Sequence, residues 1–300
     1  RFDTTKLINA SSDISNYDNH GKDVITTGPA NDVILGGAKD DTINAGNGDN
    51  VILGDDGRIE IDSQQVLRTI TSDGSLSVGT NTDIITTGDG HDTLLGGYGT
   101  DTINSGAGND IVLGDNGEAQ FDSTGILLSI TTTDNDTGDT DTITTGDGND
   151  IAFGGFGTDF INVDKNNNNN TYADDGNDIL VGDNGVARFM TRDDQDILTN
   201  NANTITTTAG EGGKDLIHST EGQDILIGGK DNDNLTTGTD HQRDIVIGDL
   251  ATLTFSTSNQ GRFDTTKLIN ASSDISNYDN HGKDVITTGP ANDVILGGAK

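Results

Sequence analysis

The chain has 300 residues, of which 30% are hydrophobic, 4% are aromatic and 42 are glycine, so a single large aromatic core is excluded. Fifty acidic residues against 16 basic residues leave a net charge of −34. A field of that sign repels phosphate backbones and anionic lipid head groups. We therefore expect no nucleic-acid partner, no membrane insertion, and a cation as the charged ligand.

The acidic residues are almost all aspartates, because only Glu60, Glu118, Glu211 and Glu221 are glutamates. Aspartate favours turns and metal ligation over helices. The chain has no cysteine, which excludes disulfides and zinc–thiolate sites. It also has no H-E-x-x-H, G-x-S-x-G or P-loop motif, and we predict that it is not an enzyme.

A long repeat is visible at the two ends of the sequence. Residues 262–300 are identical to residues 1–39, which sets a period of 261 residues from Arg1 to Arg262. Such identity is typical of a tandem array. We therefore expect this chain to be a window on a longer protein, in which adjacent copies of the same repeat are partners. Lateral assembly of such copies is left open.

A shorter repeat lies inside the long one, because an aspartate or asparagine recurs about every nine residues. In chain order the four groups are Asp23, Asp32, Asp41 and Asn50; Asp83, Asp92, Asp101 and Asp110; Asp141, Asp150, Asp159 and Asp178; and Asp215, Asp224, Asp233 and Asp244. An insertion that contains the asparagine run 166–170 delays Asp178. Each group closes on a Gly-Asp pair, at Asp55, Asp115, Asp183 and Asp249.

An apolar residue stands two positions after each of these repeated residues, as Ile25 follows Asp23. A nine-residue period that is rich in glycine, asparagine and aspartate does not fit a helix. It fits short strands separated by turns, in which two nonapeptides form one 18-residue coil of a parallel β-solenoid. The apolar residues then form a single column inside the coil.

The segments after each closing Gly-Asp pair have a different pattern. Apolar and polar residues alternate there, as at Ile59 and Ile61, which predicts antiparallel β-hairpins. The turn signals are Ser72-Asp73-Gly74 and Ser123-Thr124-Gly125. In alternate half-turns the residues on both sides of the core position are apolar, as at Val51 and Leu53, so one sheet must be covered by hairpins, a neighbouring group or another chain.

The predicted fold is therefore all-β, with parallel β-roll modules of about four half-turns that alternate with antiparallel β-hairpins. The predicted segments are 1–57, a first module with a leading hairpin segment; 58–117, a hairpin plus a second module; 118–185, a hairpin plus a third; 186–261, a hairpin plus a fourth; and 262–300, the start of the next repeat.

Two stretches match a known pattern in full: Gly96-Gly97-Tyr98-Gly99-Thr100-Asp101-Thr102-Ile103 and Gly154-Gly155-Phe156-Gly157-Thr158-Asp159-Phe160-Ile161. They resemble the RTX calcium-binding nonapeptide repeat, G-G-x-G-x-D-x-U-x. The other units are partial matches, in which Thr27, Ala45, Thr87, Ser105 and Thr145 replace the first glycine and Lys39 and Asp231 replace the fourth-position glycine. The resemblance implies a β-roll that binds several Ca²⁺ ions per 261-residue repeat.

The resemblance also implies that each ion lies between two stacked turns, bound by aspartates 18 residues apart and by turn carbonyls. The implied ligands are the residues of the four groups named above, together with the turn glycines Gly37, Gly97, Gly99, Gly155 and Gly157. The closing aspartates Asp55, Asp115, Asp183 and Asp249 would complete a last site where each coil ends.

These features lead to a functional prediction and two alternatives. We expect a calcium-stabilised extracellular structural protein that forms a fibre, stalk, sheath or adhesin shaft on a bacterial surface. One alternative is the repeat region of a secreted enzyme or toxin, which would have a non-repetitive domain elsewhere in the protein. The other is a segment that binds ice or another ligand through threonine rows such as Thr86 and Thr87.

Overall fold

The structure is a computed structural model, and it describes residues 8–10, 21–74, 81–165, 172, 174–189, 202–208, 212–255, 268–273 and 283–297. The asparagine run 166–170 lies outside these residues. Every regular element in the described ranges is a β-strand, and the strands, numbered along the chain, form three nine-stranded sheets. No helix in those ranges is long and apolar enough to cross a bilayer.

Two of the sheets are parallel, and the chain alternates between them. The outer sheet contains β2 (Val24–Thr26), β4 (Thr42–Gly46), β8 (Ile84–Thr87), β10 (Thr102–Asn104), β14 (Thr142–Thr144), β16 (Phe160–Ile161), β20 (Leu216–His218), β22 (Asn234–Thr236) and β26 (Val285–Thr287). The inner sheet contains β3 (Val33–Leu35), β5 (Val51–Leu53), β9 (Thr93–Leu95), β11 (Ile111–Leu113), β15 (Ile151–Gly155), β17 (Ile179–Asp183), β21 (Ile225–Gly229), β23 (Ile245–Asp249) and β27 (Val294–Leu296).

The third sheet is antiparallel and consists of the hairpins. This hairpin sheet contains β1 (Ile8–Ala10), β6 (Gly57–Ile61), β7 (Leu67–Ser72), β12 (Gly117–Phe121), β13 (Leu127–Thr132), β18 (Gly185–Phe189), β19 (Ala202–Thr207), β24 (Ala251–Phe255) and β25 (Leu268–Ser273). Each hairpin also pairs with the next one, for example β7 with β12, so the four hairpins form one continuous sheet.

The core between the outer and inner sheets is the apolar column that the nine-residue period predicts. Ile43, Ile52, Ile85 and Leu94 are each at most 1% exposed and belong to one apolar cluster. A three-residue strand contributes its middle side chain to this column because successive residues of a strand point to opposite faces, and the longer β4 contributes both Ile43 and Ala45. The prediction of a β-roll is confirmed.

A second apolar layer lies between the inner sheet and the hairpin sheet. Val51 and Leu53 of β5 pack in one cluster with Ile59 and Ile70 of the first hairpin, and all four are buried. Of the three covers that the sequence left open, the structure has the hairpins. They hide the apolar outer face of the inner sheet within the same chain.

The tip of the first hairpin is an Asx turn at Asp62, whose Oδ1 accepts hydrogen bonds from the amides of Gln64 (2.8 Å) and Val66 (3.1 Å). The predicted turn at Ser72-Asp73-Gly74 is wrong for this hairpin, because Ser72 ends its second strand. The second prediction is confirmed: Ser123-Thr124-Gly125 follows Asp122 at the tip of the β12–β13 hairpin, and Gly125 has φ +90°.

The parallel sheets run without a break past the closing Gly-Asp pairs. Val51 of β5 pairs with Thr93 of β9, although the first hairpin lies between them in sequence. The prediction that a coil ends at each closing pair is wrong. The chain leaves the roll at that point, forms a hairpin over the inner sheet, and rejoins the same roll on the next rung.

Candidate metal centres

The turns between the two parallel sheets form two edges of the roll with different sequences. On one edge, the chain passes from the inner to the outer sheet through a glycine, such as Gly96, that precedes an aspartate, such as Asp101. We call this the glycine edge. On the other edge, which we call the hydroxyl edge, serine or threonine takes the place of that glycine, as Thr87 does before Asp92.

A ladder of aspartates runs along the glycine edge. The amide of Asp83 donates to Oδ1 of Asp101 at 2.8 Å, and the amide of Asp101 donates to Oδ1 of Asp141 at 2.7 Å. The same bond joins each neighbouring pair in the series Asp23, Asp41, Asp83, Asp101, Asp141, Asp159, Asp215 and Asp233. The 18-residue pairs expected from the sequence are therefore neighbours, and longer pairs across the hairpins complete the ladder.

The second carboxylate oxygen of these aspartates, Oδ2, takes no part in the ladder. Oδ2 is buried and accepts no hydrogen bond from the described residues in Asp41, Asp83, Asp101, Asp141, Asp159, Asp215 and Asp233. A buried carboxylate oxygen without a donor is costly unless a proton or a cation compensates it. Seven such oxygens recur at one position of successive rungs, which is a regular feature of the edge.

The edge glycines show what surrounds that oxygen. A Cβ atom on Gly96 would lie under 3.0 Å from both the carbonyl oxygen of Gly114 and Oδ2 of Asp101. The same pairing of a carbonyl oxygen with an aspartate Oδ2 recurs at Gly36, Gly54, Gly114, Gly154, Gly182 and Gly228. Each of these positions lies beside a carbonyl oxygen and a carboxylate oxygen and is open because glycine has no side chain. Hard oxygen atoms of this kind are the ligands that calcium prefers.

The electrostatics of the edge favour the same ligand. Burial, together with the charges of nearby aspartates, raises the pKa of Asp83 to about 8 and that of Asp233 to about 9. The amide that donates to each carboxylate acts in the opposite direction but is outweighed. These carboxylates therefore need a proton or a cation, and a divalent cation serves two stacked carboxylates at once.

A family comparison supplies the identity of the repeat. The model for the RTX calcium-binding nonapeptide repeat (4 copies) matches residues 21–58, 78–118, 135–169, 172–186, 200–241 and 280–299, which is more than half of the chain. The chain belongs to the RTX calcium-binding nonapeptide-repeat family. It is a calcium-binding repeat protein, of a kind characteristic of secreted bacterial proteins. No curated protein and no solved structure matches it.

The turn glycines of the RTX repeats adopt the conformation that the motif requires. Gly37, Gly97, Gly99, Gly155 and Gly157 have φ between +100° and +122°, a region that side chains disfavour. Lys39 and Asp231, which replace the fourth-position glycine, keep a positive φ of +84° and +79°. The RTX turn is thus conserved in shape where its glycine is absent.

The closing aspartates lie inside the RTX roll rather than at its end. Oδ2 of Asp55 accepts the amide of Tyr98 at 2.6 Å, and Oδ2 of Asp115 accepts the amide of Phe156 at 2.5 Å. Asp183 accepts the amide of Lys230 in the same way. Burial raises the pKa of Asp55 to about 7, although the hydrogen bonds from Tyr98 and Asn81 lower it. Asp55, Asp115 and Asp183 each join the rung where a hairpin starts to the next RTX turn.

The hydroxyl edge also carries a ladder, which runs through Asp32, Asn50, Asp92, Asp110, Asp150, Asp178, Asp224 and Asp244. Here a side chain fills the point that is open on the glycine edge. The Thr87 hydroxyl donates to the carbonyl of Ser105 at 2.6 Å, and the Ser105 hydroxyl donates to the carbonyl of Thr145 at 2.9 Å. Oδ2 of Asp92 and of Asp110 accepts no hydrogen bond from the described residues, as on the glycine edge. Burial raises the pKa of Asp92 to about 6, and the Thr87 side chain is the largest influence that lowers it.

At one rung of the hydroxyl edge, both the hydroxyl residue and the aspartate are replaced. Ala45 replaces the hydroxyl residue there, and Asn50 replaces the aspartate. The Asn50 side-chain amide donates to the carbonyls of Gly48 (2.8 Å) and Gly46 (3.3 Å). At this rung, which lacks the hydroxyl donor, a neutral group that supplies its own donor replaces the carboxylate.

Sequence reasoning found the aspartates of both edges but treated the edges as equivalent. It also missed Asp174, which is fully buried and lies near Asp150 and Asp178. The sequence did contain a signal for the difference between the edges, because in many units glycine alternates with serine or threonine five residues before successive aspartates. Asp174 gives no such signal, since it stands outside the nine-residue series.

Proposed function

We propose that this chain is part of an extracellular rod on a bacterial surface, whose rungs are held together by calcium along the glycine edge. The rod is structural, as a stalk, sheath or adhesin shaft would be. The observation that carries the proposal is that strands of the second copy of the repeat pair with the last strands of the first copy. Strands β26 and β27, which repeat the sequences of β2 and β3, add to the ends of the outer and inner sheets beside β22 and β23.

The hairpin sheet supports continuous growth in the same way. The fourth hairpin pairs β24 of the first copy with β25, which belongs to residues 262–300. Each copy would therefore complete the last hairpin of the copy before it. A heterologous contact that repeats with the same geometry produces an open linear or helical array.

The proposed calcium ligands are the aspartates of the glycine-edge ladder, with the turn carbonyls as further ligands. Their oxygens are buried, stacked and lined up on one edge, so ions there would link each rung to the next. The eight ladder positions of the hydroxyl edge and the four closing aspartates stay predicted ligands. The filled position beside the hydroxyl-edge carboxylates gives the glycine edge the stronger case.

The chemistry of such sites supports an extracellular location. Calcium sites of extracellular modules bind in the range of about 10⁻⁴–10⁻³ M. We propose that the chain folds where calcium is millimolar, because the buried carboxylates oppose folding without it. The net charge of −34 keeps the calcium-free chain soluble and extended.

The length of the rod tests the proposal. Eight outer-sheet strands, β2 to β22, precede the repeated strand β26, and strands lie about 4.8 Å apart, so each period should add about 38 Å. X-ray scattering from chains of one, two and three periods in millimolar calcium measures the maximum dimension. An increase that follows the cube root of mass would mean that the copies fold back on one another and would reject the rod.

A further inference from the structure

The hydroxyl edge is interrupted at one rung. The chain leaves the edge at Asn162, which has φ +57°, and returns at Asp174 before Asp178. Oδ1 of Asn162 accepts the amide of Thr145 at 2.9 Å, so it replaces the main-chain carbonyl that continues the ladder elsewhere. The rung therefore remains in register although the insertion separates its two halves.

This rung breaks the pairing of hydroxyl and carboxylate. Thr87, Ser105 and Thr145 stand five residues before Asp92, Asp110 and Asp150, and each hydroxyl lowers the pKa of its own aspartate. Asp178 has alanine at that position in the sequence. Asn50 also has an alanine five positions before it, and there the aspartate is replaced. Asp178 instead keeps its carboxylate, and the carboxylate of Asp174 lies near it.

The three carboxylates converge on one point. One oxygen from each of Asp150, Asp174 and Asp178 lies within 4.8 Å of the others, and all three residues are fully buried. Oδ2 of Asp150, Oδ1 of Asp174 and Oδ2 of Asp178 accept no hydrogen bond from a donor group in the described ranges, and Asp174 and Asp178 can bond to each other only when a proton lies between them. Two oxygens bound to one calcium ion at about 2.4 Å can lie up to about 4.8 Å apart, so the spacing suits a single ion.

The position of Asp174 is fixed by its neighbours. Nδ2 of Asn162 donates to its Oδ2 at 2.6 Å, and Oδ1 has no donor among the described residues. Its amide donates to the hydroxyl of Thr220 at 3.1 Å, and its carbonyl accepts from the same hydroxyl. The other charges that act on Asp174 are those of the carboxylates Asp150, Asp224 and Asp147, so no cationic side chain among these neighbours offsets the cluster.

We propose that Asp150, Asp174 and Asp178 form a three-carboxylate site for one divalent cation, calcium by its oxygen ligands. It differs from the sites of the glycine edge because Asp174 stands outside the nonapeptide series. The ion takes the place of the hydroxyl that this rung lacks and ties the two sides of the insertion together. The inference rests on the proposed function in that Asp150 and Asp178 are also predicted ligands of the hydroxyl edge, and Asp174 is the ligand that it adds.

Calcium counting on the intact 300-residue chain tests the site. Equilibrium dialysis against a fixed millimolar free calcium concentration gives the number of bound ions, and circular dichroism checks the β content of each variant. Asp174→Asn should bind one ion fewer than the unchanged chain. Asp175→Asn is the matched control, because Asp175 is the exposed neighbour of Asp174 and should bind the full number.

A second variant covers a failure of Asp174→Asn to fold. Asp178→Asn should fold, because Asn50 already occupies the corresponding ladder position, and it should also lose one ion. If a folded Asp174→Asn or Asp178→Asn chain binds the full number, the carboxylates share protons and the site is rejected, while the glycine-edge sites stand. If the unchanged chain binds no calcium, the proposed function fails as well.

Discussion

The amide of Asp233 donates to Oδ1 of Asp284 at 3.1 Å. Asp284 is the copy of Asp23, one period further along the chain. The amide of Asp215 makes the same bond to Asp233, at 2.9 Å, within a single period. The boundary between two copies is therefore built like any other step of the ladder, and a tandem array needs no separate linker at this edge.

Removal of calcium should unfold the roll at neutral pH. Seven buried carboxylate oxygens of the glycine edge have no donor among the described residues, and without cations their charges would repel one another in the interior. Circular dichroism should show loss of the β signal in excess chelator and recovery when calcium is restored. A native β signal that persists in chelator would mean that the cation is dispensable for the fold.

The calcium-free chain should be more folded in mild acid than at neutral pH. Burial raises the pKa of Asp41 to about 6, of Asp83 to about 8 and of Asp233 to about 9, from 3.8. Carboxyl groups with a raised pKa stabilise the fold fully below the unfolded value, and this contribution is lost as pH rises through the folded values. In chelator, the β content should therefore fall as pH rises from the unfolded value of 3.8 to about 9.

The same titration in millimolar calcium is the control. Calcium competes with protons for the carboxylates, so the fold should persist at pH 8 when the ion is present. Chains that behave alike with and without calcium across this range would show that the buried aspartates do not control folding.

Gly96→Ala tests the open position of the glycine edge. Its Cβ would meet the carbonyl of Gly114 and Oδ2 of Asp101, so we expect fewer bound ions and a destabilisation of about 1–3 kcal/mol. Gly28→Ala is the matched control, since nothing lies within 4 Å of a Cβ at that position. Calcium dialysis and thermal unfolding in calcium measure both effects, and equal results for the two variants would contradict the assignment.

Ser105→Ala tests the hydroxyl edge. Ser105 is fully buried and donates to the carbonyl of Thr145, so its loss should cost about 0.5–1.5 kcal/mol in the free energy of unfolding. The number of bound ions should not change. Thermal or denaturant unfolding in saturating calcium measures the cost.

The rung of Ala45 and Asn50 supplies a rescue for that variant. Adding Asp110→Asn to Ser105→Ala recreates the natural pair, in which the asparagine supplies its own donor. The double variant should be more stable than Ser105→Ala alone, with a coupling of at least about 0.5 kcal/mol. Additive losses would show that the serine hydroxyl and the Asp110 carboxylate do not act together.

The nine-residue period determined every strand of the roll and the single column between the two sheets. This is possible because a strand's inward side chain and the turn that follows it are local features, repeated in phase by residues such as Asp101 and Ile103. The sequence also predicted that Val51 and Leu53 must be covered, since these residues on either side of the core position Ile52 are apolar. RTX membership followed from the same local spacing.

Tertiary structure alone decided where the chain rejoins the roll after each hairpin. Asp41 bonds to Asp83, 42 residues away, and Asp159 bonds to Asp215, 56 residues away. These separations have no common period, because the hairpins and the insertion differ in length. The edge strand of the growing sheet has unpaired backbone N–H and C=O groups, and the strand that returns from a hairpin pairs with them. This pairing sets the rung on which the chain rejoins the roll. For the same reason the sequence could not bring Asp174 to Asp150 and Asp178, or reveal that the two edges hold their carboxylates differently.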